Sequence, residues 1–316
     1  MTERSNPTGC SPHAAGSISI GLHAHEGSAV EIVEHVVSEA RRAAGVGFDG
    51  VTFSEHHGGF PGYLPNPIQM AALVLEAVPT VWSGPSPSVL PLRAPATVVE
   101  DLAWMAARHP GRVGAGFATG YQQRDFDIVG ADFADRSPAF WRQLRFVVQA
   151  LSGRASGALA DDPAVSALGA RPVPVVAGIG GPVGARRAAD RGAGILVTSL
   201  LAVGDARRLV DEYRAAGGVG PVVLIRRAWV GDGAPTIDQQ LGHYRDAGKE
   251  PSWMERPMDD AIYSGGPDDV AGRLSGDLRA VGADSLNIRM HTTGIGPDRI
   301  ADQIDRFAEV VDLIRP

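Results

Sequence analysis

Glu55, His56 and His57 stand in a row directly after the apolar run Gly50–Phe53 and form the sharpest chemical signal in the chain. Side chains that follow one another past a strand point in different directions, so one histidine can face a site while the other packs sideways. Histidine exchanges protons near neutral pH because its unperturbed pKa, about 6.5, lies there. The triplet therefore points to proton transfer or cofactor contact, with Glu55, His56 and His57 as the candidate catalytic residues. Two other readings stay open from position alone. The histidines could satisfy hydrogen bonds of the loop and core, or His56 and His57 could join a distant carboxylate around a metal. No metal ligand is assigned on this basis.

A second signal is the glycine-rich stretch Gly178–Gly184, which opens a helix carrying Arg186 and Arg187. Gly180, Gly181 and Gly184 let backbone N–H groups approach a phosphate, and a helix N-terminus adds favourable potential. A plain turn between strand and helix is the competing reading. A third signal is GAGFATGY, Gly114–Tyr121. Its spacing does not fit the dinucleotide pattern G-x-G-x-x-G, and no early amphipathic helix is expected after it. Its small residues, with Thr119, Gly120 and Tyr121 at the end, suit a flat ring lying against a floor.

The elements that must position these residues alternate regularly. Strands are expected at Ser17–Leu22, Gly50–Phe53, Ser86–Leu90, Arg112–Gly116, Val173–Ala177, Ile195–Ser199, Pro221–Arg226 and Ser285–Arg289, each followed by a helix. In the first helix, Ser28–Ala44, the apolar positions Ile32, Val33, Val36 and Val37 recur at helical spacing, with Glu31, Glu34 and Glu39 elsewhere. Eight strand–helix units predict an α/β fold, a single (β/α)8 TIM-type barrel spanning residues 17–316, rather than an open sheet. Residues 1–16 read as a flexible N-terminal arm. Residues 152–171 read as an excursion at one rim, and residues 231–265 as an inserted βα loop with Tyr244, Trp253 and Tyr263. Barrel enzymes place their active sites at the C-terminal ends of the strands. That rule brings Glu55–His57, Arg93, Thr119–Tyr121, Gly178–Gly184 and His291 to one rim.

Bulk properties narrow the function. A formal net charge of −7 gives no reason to expect nucleic acid or an anionic membrane as partner. The single cysteine, Cys10, rules out an intrachain disulfide and a cysteine metal site, and a reducing cytoplasm is the expected compartment. The N-terminal residues lack the pattern of a signal peptide, and no apolar run approaches the roughly 18 residues that span a bilayer.

Four segments, taken in order, resemble the bacterial luciferase-like family of flavin-dependent monooxygenases. FSEHHGGFPGYLPNP (Phe53–Pro67) is similar to that family's strand-two loop, and SVLPLRAPATVVEDLAWM (Ser88–Met105) to its LP-x-x-x-P-x-x-x-x-E-D segment. GRVGAGFATGY (Gly111–Tyr121) with Asp125–Gly130 resembles its GR-x-x-x-G and D-F-x-x-x-G stretches, and residues Tyr263–Ile314 its last strand unit. The resemblance implies a TIM barrel with FMN, or in one branch a deazaflavin coenzyme, in its mouth. It implies that His56 assists proton transfer and that Ser88 and Val89 form a non-prolyl cis bulge behind the flavin ring. It places Arg136 near the flavin phosphate and Gly180, Gly181 and Gly184 on the phosphate loop. It further implies a separate reductase supplying reduced flavin, and a homodimer. The chain departs from the family pattern in three places: Thr119 replaces an arginine, and Gly181 and Gly184 replace hydroxyl residues. Phosphate recognition is then expected from backbone N–H groups, Arg136 and Arg186. The function expected is a monooxygenase using reduced FMN and dioxygen on a small organic substrate. The alternatives are deazaflavin-dependent hydride transfer and flavin binding without turnover. Phe60, Tyr63, Tyr244 and Trp253 in the two loops suggest an apolar or flat substrate.

Overall fold

The computed structural model describes residues 10–238, 241–242, 261–292 and 294–315. The strands are β1 (Ile18–Leu22), β2 (Gly50–Phe53), β3 (Trp82–Pro85), β4 (Ser88–Val89), β5 (Ala115–Ala118), β6 (Val175–Ile179), β7 (Gly194–Val197), β8 (Val222–Val230), β9 (Tyr263–Gly265) and β10 (Ser285–Arg289). Between them run α1 (Ala29–Gly45), α2 (Pro67–Ala77), α3 (Pro95–Arg108), α4 (Gln123–Val129), α5 (Arg136–Gln149) and α6 (Pro163–Ala167). α7 (Pro182–Asp190), α8 (Val203–Ala215), α9 (Pro267–Val281) and α10 (Pro297–Ile314) complete the order.

Parallel pairing runs from β3 through β2, β1, β10, β8, β7, β6 and β5 to β4. β3 and β4 are two halves of one stave: β3 pairs with β2 on one side, β4 with β5 on the other. A bridge between Ser83 and Val113 brings β3 against the start of β5 and closes the ring. The expected eight-stave barrel therefore forms, with the short β9 added beside the end of β8. Parallel strands covered by helices outside and side chains inside must be apolar on both faces. β1, β2, β7, β8 and β10 are accordingly buried along their whole length. The polar exceptions inside the barrel are satisfied, as burial requires: the Asn287 amide donates to Ser19 Oγ and Thr52 Oγ1, each at 2.9 Å.

Several expectations need correction. The third stave begins four residues early, at Trp82, and bends at a cis Ser86–Pro87 peptide. The cis bond thus sits at a proline, where the tertiary amide weakens the trans preference, and Ser88–Val89 is not cis. The described part of the N-terminal arm is packed. Pro12 and His13 are buried, and His13 meets Trp82 edge-on at 4.9 Å beneath the barrel. Residues 152–171 are not a bare excursion either. They hold a short 3-10 turn and α6, whose Ala164 and Val165, with Leu168 just beyond, join the core. A short helix, α4, follows β5 where none was expected.

In α1 the buried face is Val36, Glu39, Ala40 and Ala43, while Val33 and Val30 are exposed. Small alanines allow the close approach to the barrel that valines would block, so the apolar count misplaced the inner stripe. Glu39 is carried inside with them. Of the 231–265 insertion, Tyr263 is described in β9, whereas Tyr244 and Trp253 lie outside the described residues. Among the described residues no helix is long and apolar enough to cross a membrane.

Candidate active site

A cavity of about 310 Å³ opens at the C-terminal ends of the staves. The site residues expected from sequence that border it are Glu55, His56, Val89, Thr119, Gly120, Tyr121 and Gly180. Its apolar wall comes from Val89, Ala118, Ile179, Leu196 and Ile225.

His56 is the best-defined acid–base group in this cavity. Its Nδ1 lies 2.6 Å from Asp125 Oδ2, and its Nε2 lies 3.1 Å from the Tyr121 hydroxyl. An ionised carboxylate only accepts, so Nδ1 carries the proton and donates to Asp125. In the neutral ring Nε2 is then the acceptor, facing the tyrosine O–H. The second Asp125 oxygen takes the backbone N–H of His57 at 2.9 Å, which fixes the carboxylate from two sides. Phe60 stacks on the His56 ring at 4.5 Å and Tyr63 meets it edge-on at 4.6 Å. With both polar ends bonded, one face stacked on Phe60 and Tyr63 set against it edge-on, the imidazole is held in one tautomer and one orientation. Asp125 was missed as a site residue. The only sequence signal was its place at the head of the D-F-x-x-x-G stretch, 69 residues from its partner.

Glu55 does a different job from the one expected. Its carboxylate takes four donors: His57 Nε2 at 2.9 Å, Arg93 Nη2 at 2.8 Å, the Val89 backbone N–H at 2.8 Å, and the Ser88 hydroxyl. Those donors fill the roughly four lone-pair sites of a carboxylate. Burial alone would push the Glu55 carboxyl up, but His57, Arg93 and Ser88 together hold it below the ordinary range. Glu55 therefore ties the β2 loop to β4 and leaves no oxygen for a substrate proton. His57 is drawn to Glu55 and does not border the cavity. Ser88 is likewise turned to Glu55, while Val89 presents its side chain to the cavity.

The residues expected at a phosphate are gathered less completely. Gly180 borders the cavity, and no atom lies within 4 Å of where a Cβ at Gly180 or Gly181 would stand, so this corner is open. Gly181 borders a neighbouring hollow, and Gly184 packs against Ile179 inside α7. Arg136 does not border the cavity: its guanidinium lies 3.8 Å over the Phe133 ring and donates to the Phe133 carbonyl. Arg186 pairs with Glu212 of α8 at 2.6 Å. Hydroxyls come instead from Thr198 and Ser199 at the end of β7, which the sequence reading passed over. On the floor stand Arg227 and Arg289, both buried. Arg289 is anchored on Ser54 Oγ and the Ser86 carbonyl, each at 3.1 Å. Over the mouth, Phe60 packs with Ile237 and Leu241, so the strand-two loop and the insertion meet above the site.

Comparison with known proteins agrees with this architecture. Over 105 residues the chain is 32% identical to the alkanal monooxygenase alpha chain of Photorhabdus laumondii, covering 33% of this chain and 29% of that protein. The chain spans about a third of the length of the curated relatives it matches. The oxygenating constituent of 3,6-diketocamphane monooxygenase from Pseudomonas putida, solved in complex with FMN, shares the fold with a TM-score of 0.72 at 16% identity, covering 94% and 98% of the two chains. An F420-dependent secondary alcohol dehydrogenase does so equally, with a TM-score of 0.72 at 15% identity over 95% and 99%. Residues 16–312 match the sequence model of the luciferase-like monooxygenases, and the chain belongs to that family.

Proposed function

We propose that this protein is a flavin-dependent monooxygenase that uses reduced FMN and dioxygen on a small organic substrate, with His56 as its proton carrier. The observation that carries the proposal is the Asp125–His56–Tyr121 line, bonded at both imidazole nitrogens and set into the wall of the cavity. The residues present fit a flavin. The apolar wall of Val89, Ala118 and Ile179 suits a flat ring, and the open corner at Gly180 with the Thr198 and Ser199 hydroxyls suits a phosphate. When bound, the flavin would supply the electrons and the activation of dioxygen. The chain's own part is to take up and return a proton at His56 Nε2, to orient that ring through Asp125, and to exclude water with Phe60, Ile237 and Leu241. A closed, dry site protects reactive species from hydrolysis.

A second reading, hydride transfer with a deazaflavin coenzyme, is supported by the equal fold likeness to an F420-dependent enzyme. Titration of the purified protein with FMN and with coenzyme F420, followed by absorbance and fluorescence, separates the two. Saturable FMN binding and substrate-dependent oxygen uptake in the presence of a flavin reductase are expected. F420 binding with no oxygen uptake selects the second reading, and no binding of either cofactor overturns both. The partner that supplies reduced flavin would be a separate reductase. The active unit would be a homodimer, an assembly supported by the exposed Val33, Leu73 and Trp104 on α1, α2 and α3. Sedimentation showing only monomer at micromolar concentration would reject that assembly.

A further inference from the structure

Outside the cavity just described, three more ligand-type side chains converge where the first and last staves of the barrel meet. His25 follows β1, Glu39 comes from α1, and His291 follows β10. All three are buried, with relative exposures of 7%, 3% and 4%. His25 Nε2 stands 2.5 Å from Glu39 Oε1, and His291 Nε2 stands 3.5 Å from Glu39 Oε2. One ligand atom from each residue lies within 4.8 Å of the other two. Glu39 Oε2 and both His291 ring nitrogens are buried without a hydrogen bond of ordinary geometry. Orphaned buried polar atoms of this kind are costly, and three on facing groups call for a common partner. A neutral imidazole offers one lone pair beside its N–H, so a cation held between that nitrogen and Glu39 Oε2 is a partner that fits.

We propose that His25, Glu39 and His291 form a three-ligand site for a divalent first-row transition ion, with zinc as its best match. Two imidazoles and one carboxylate, leaving a fourth position open, is a recurring donor set for zinc. In a tetrahedral zinc site with bonds of about 2.0–2.1 Å the ligand atoms stand roughly 3.3 Å apart. The three ligand atoms, within 4.8 Å of one another here, would draw together to that spacing around one Glu39 oxygen. The surroundings resemble a built site. The Ile295 backbone hydrogen-bonds to the His25 ring, and Arg227 donates to the His291 carbonyl at 2.9 Å. The first contact occupies one His25 ring nitrogen and leaves the other for ligation, and the second holds the backbone that carries the His291 ring. His25 and His291 also border a cavity of about 130 Å³ lined by His23, Gly62 and Thr292, from which the fourth ligand would come. His23 meets the Tyr63 ring at 5.2 Å, so this second cavity backs onto a residue that borders the first.

The proposal does not rest on the flavin reading, and its test needs no turnover. Wild-type protein stripped with EDTA and reloaded with one equivalent of Zn2+ should retain about one ion per chain after gel filtration, measured by elemental analysis. Co2+ in its place should give the intense visible absorption of a tetrahedral site. Glu39→Gln keeps the shape and one hydrogen-bonding oxygen but removes the charge. It should weaken binding at least about 100-fold, beyond the 10–100-fold typical of losing an outer contact. His291→Gln serves as a second variant should Glu39→Gln fail to fold, which circular dichroism reports. Three results would overturn the proposal: wild type that holds no ion above the EDTA-treated control, variants that hold as much as wild type, or binding abolished by His56→Ala but untouched by Glu39→Gln.

Discussion

Two buried histidine–carboxylate pairs sit on the same rim of this barrel, and they are built to opposite rules. In the first, His56 and Asp125 approach to 2.6 Å, and every remaining polar atom of the group has a partner: Tyr121 on the far ring nitrogen, the His57 N–H on the second oxygen. In the second, His25 and Glu39 approach to 2.5 Å, yet Glu39 Oε2 stands 3.5 Å from His291 Nε2 and closes no hydrogen bond of ordinary geometry with it. A histidine with a donor on one side and an acceptor on the other is arranged to pass a proton. A carboxylate oxygen and an imidazole that face each other without closing such a bond are arranged to share a cation. Similar residue types thus give different chemistry, and the difference lies in whether the hydrogen-bond accounting closes.

The most direct way to break this comparison is His56→Ala. If the first pair moves protons, turnover falls by about 10²–10⁴, and FMN titration and thermal stability show the fold intact. Unchanged turnover would leave His56 as a packing residue beside Phe60 and Tyr63. The next effect should come from Glu55→Gln, which tests the claim that Glu55 is a tether. Removing its charge leaves Arg93, which reaches solvent, without its partner, so the cost is about 2–3 kcal/mol, below the 3–5 for a fully buried pair. The sign with pH follows from the direction of the shift. The Glu55 carboxyl is held below its ordinary value, so its contribution is full above an unfolded pKa of about 4.3 and is lost as pH falls through the lower folded value. Melting curves from pH 7 to pH 3 should therefore show a flatter acid limb in the variant. A parallel limb in both proteins would mean that Glu55 is not the group responsible.

Much of this frame was legible in the sequence, and the failures have identifiable causes. α2, α9 and α10 begin and end where proline and the apolar period place them, because Pro at a helix start and a 3.6-residue stripe are local signals. The third stave was placed late because its true start, Trp82-Ser-Gly-Pro, reads as a turn. Gly84 is there for close packing: a Cβ would meet the Gly114 carbonyl oxygen at 1.7 Å, where β3 is pressed against the start of β5. His56 was legible because its triplet is contiguous. Asp125 and Glu39 were not, since each meets its histidine only after the barrel closes or α1 docks on its alanine face. Arg136 and Gly184 show the reverse limit. Motif order put them at an expected phosphate, but order along the chain fixes neither where the Arg136 side chain turns nor what the Gly184 backbone packs against.

Smaller effects sharpen the first pair from within. Asp125→Asn keeps the shape but can present an N–H to Nδ1, which favours the wrong tautomer. A kcat lowered by about 10- to 30-fold is expected, less than for loss of the ring, because proton-transfer assistance is worth 10²–10⁴ in total. A kcat within twofold of wild type would show that the ring's tautomer is set elsewhere. Tyr121→Phe removes only the hydroxyl at His56 Nε2 and keeps the ring that packs 5.4 Å from the imidazole. A neutral hydrogen bond is worth about 0.5–1.5 kcal/mol, so kcat should fall by about 2- to 10-fold. KM should stay within error if the hydroxyl acts on the proton and not on substrate binding, which steady-state kinetics separates. A rise in KM with kcat unchanged would assign Tyr121 to holding substrate. His56 Nε2 would then have no proton partner of its own, and the first pair would be no more complete than the second.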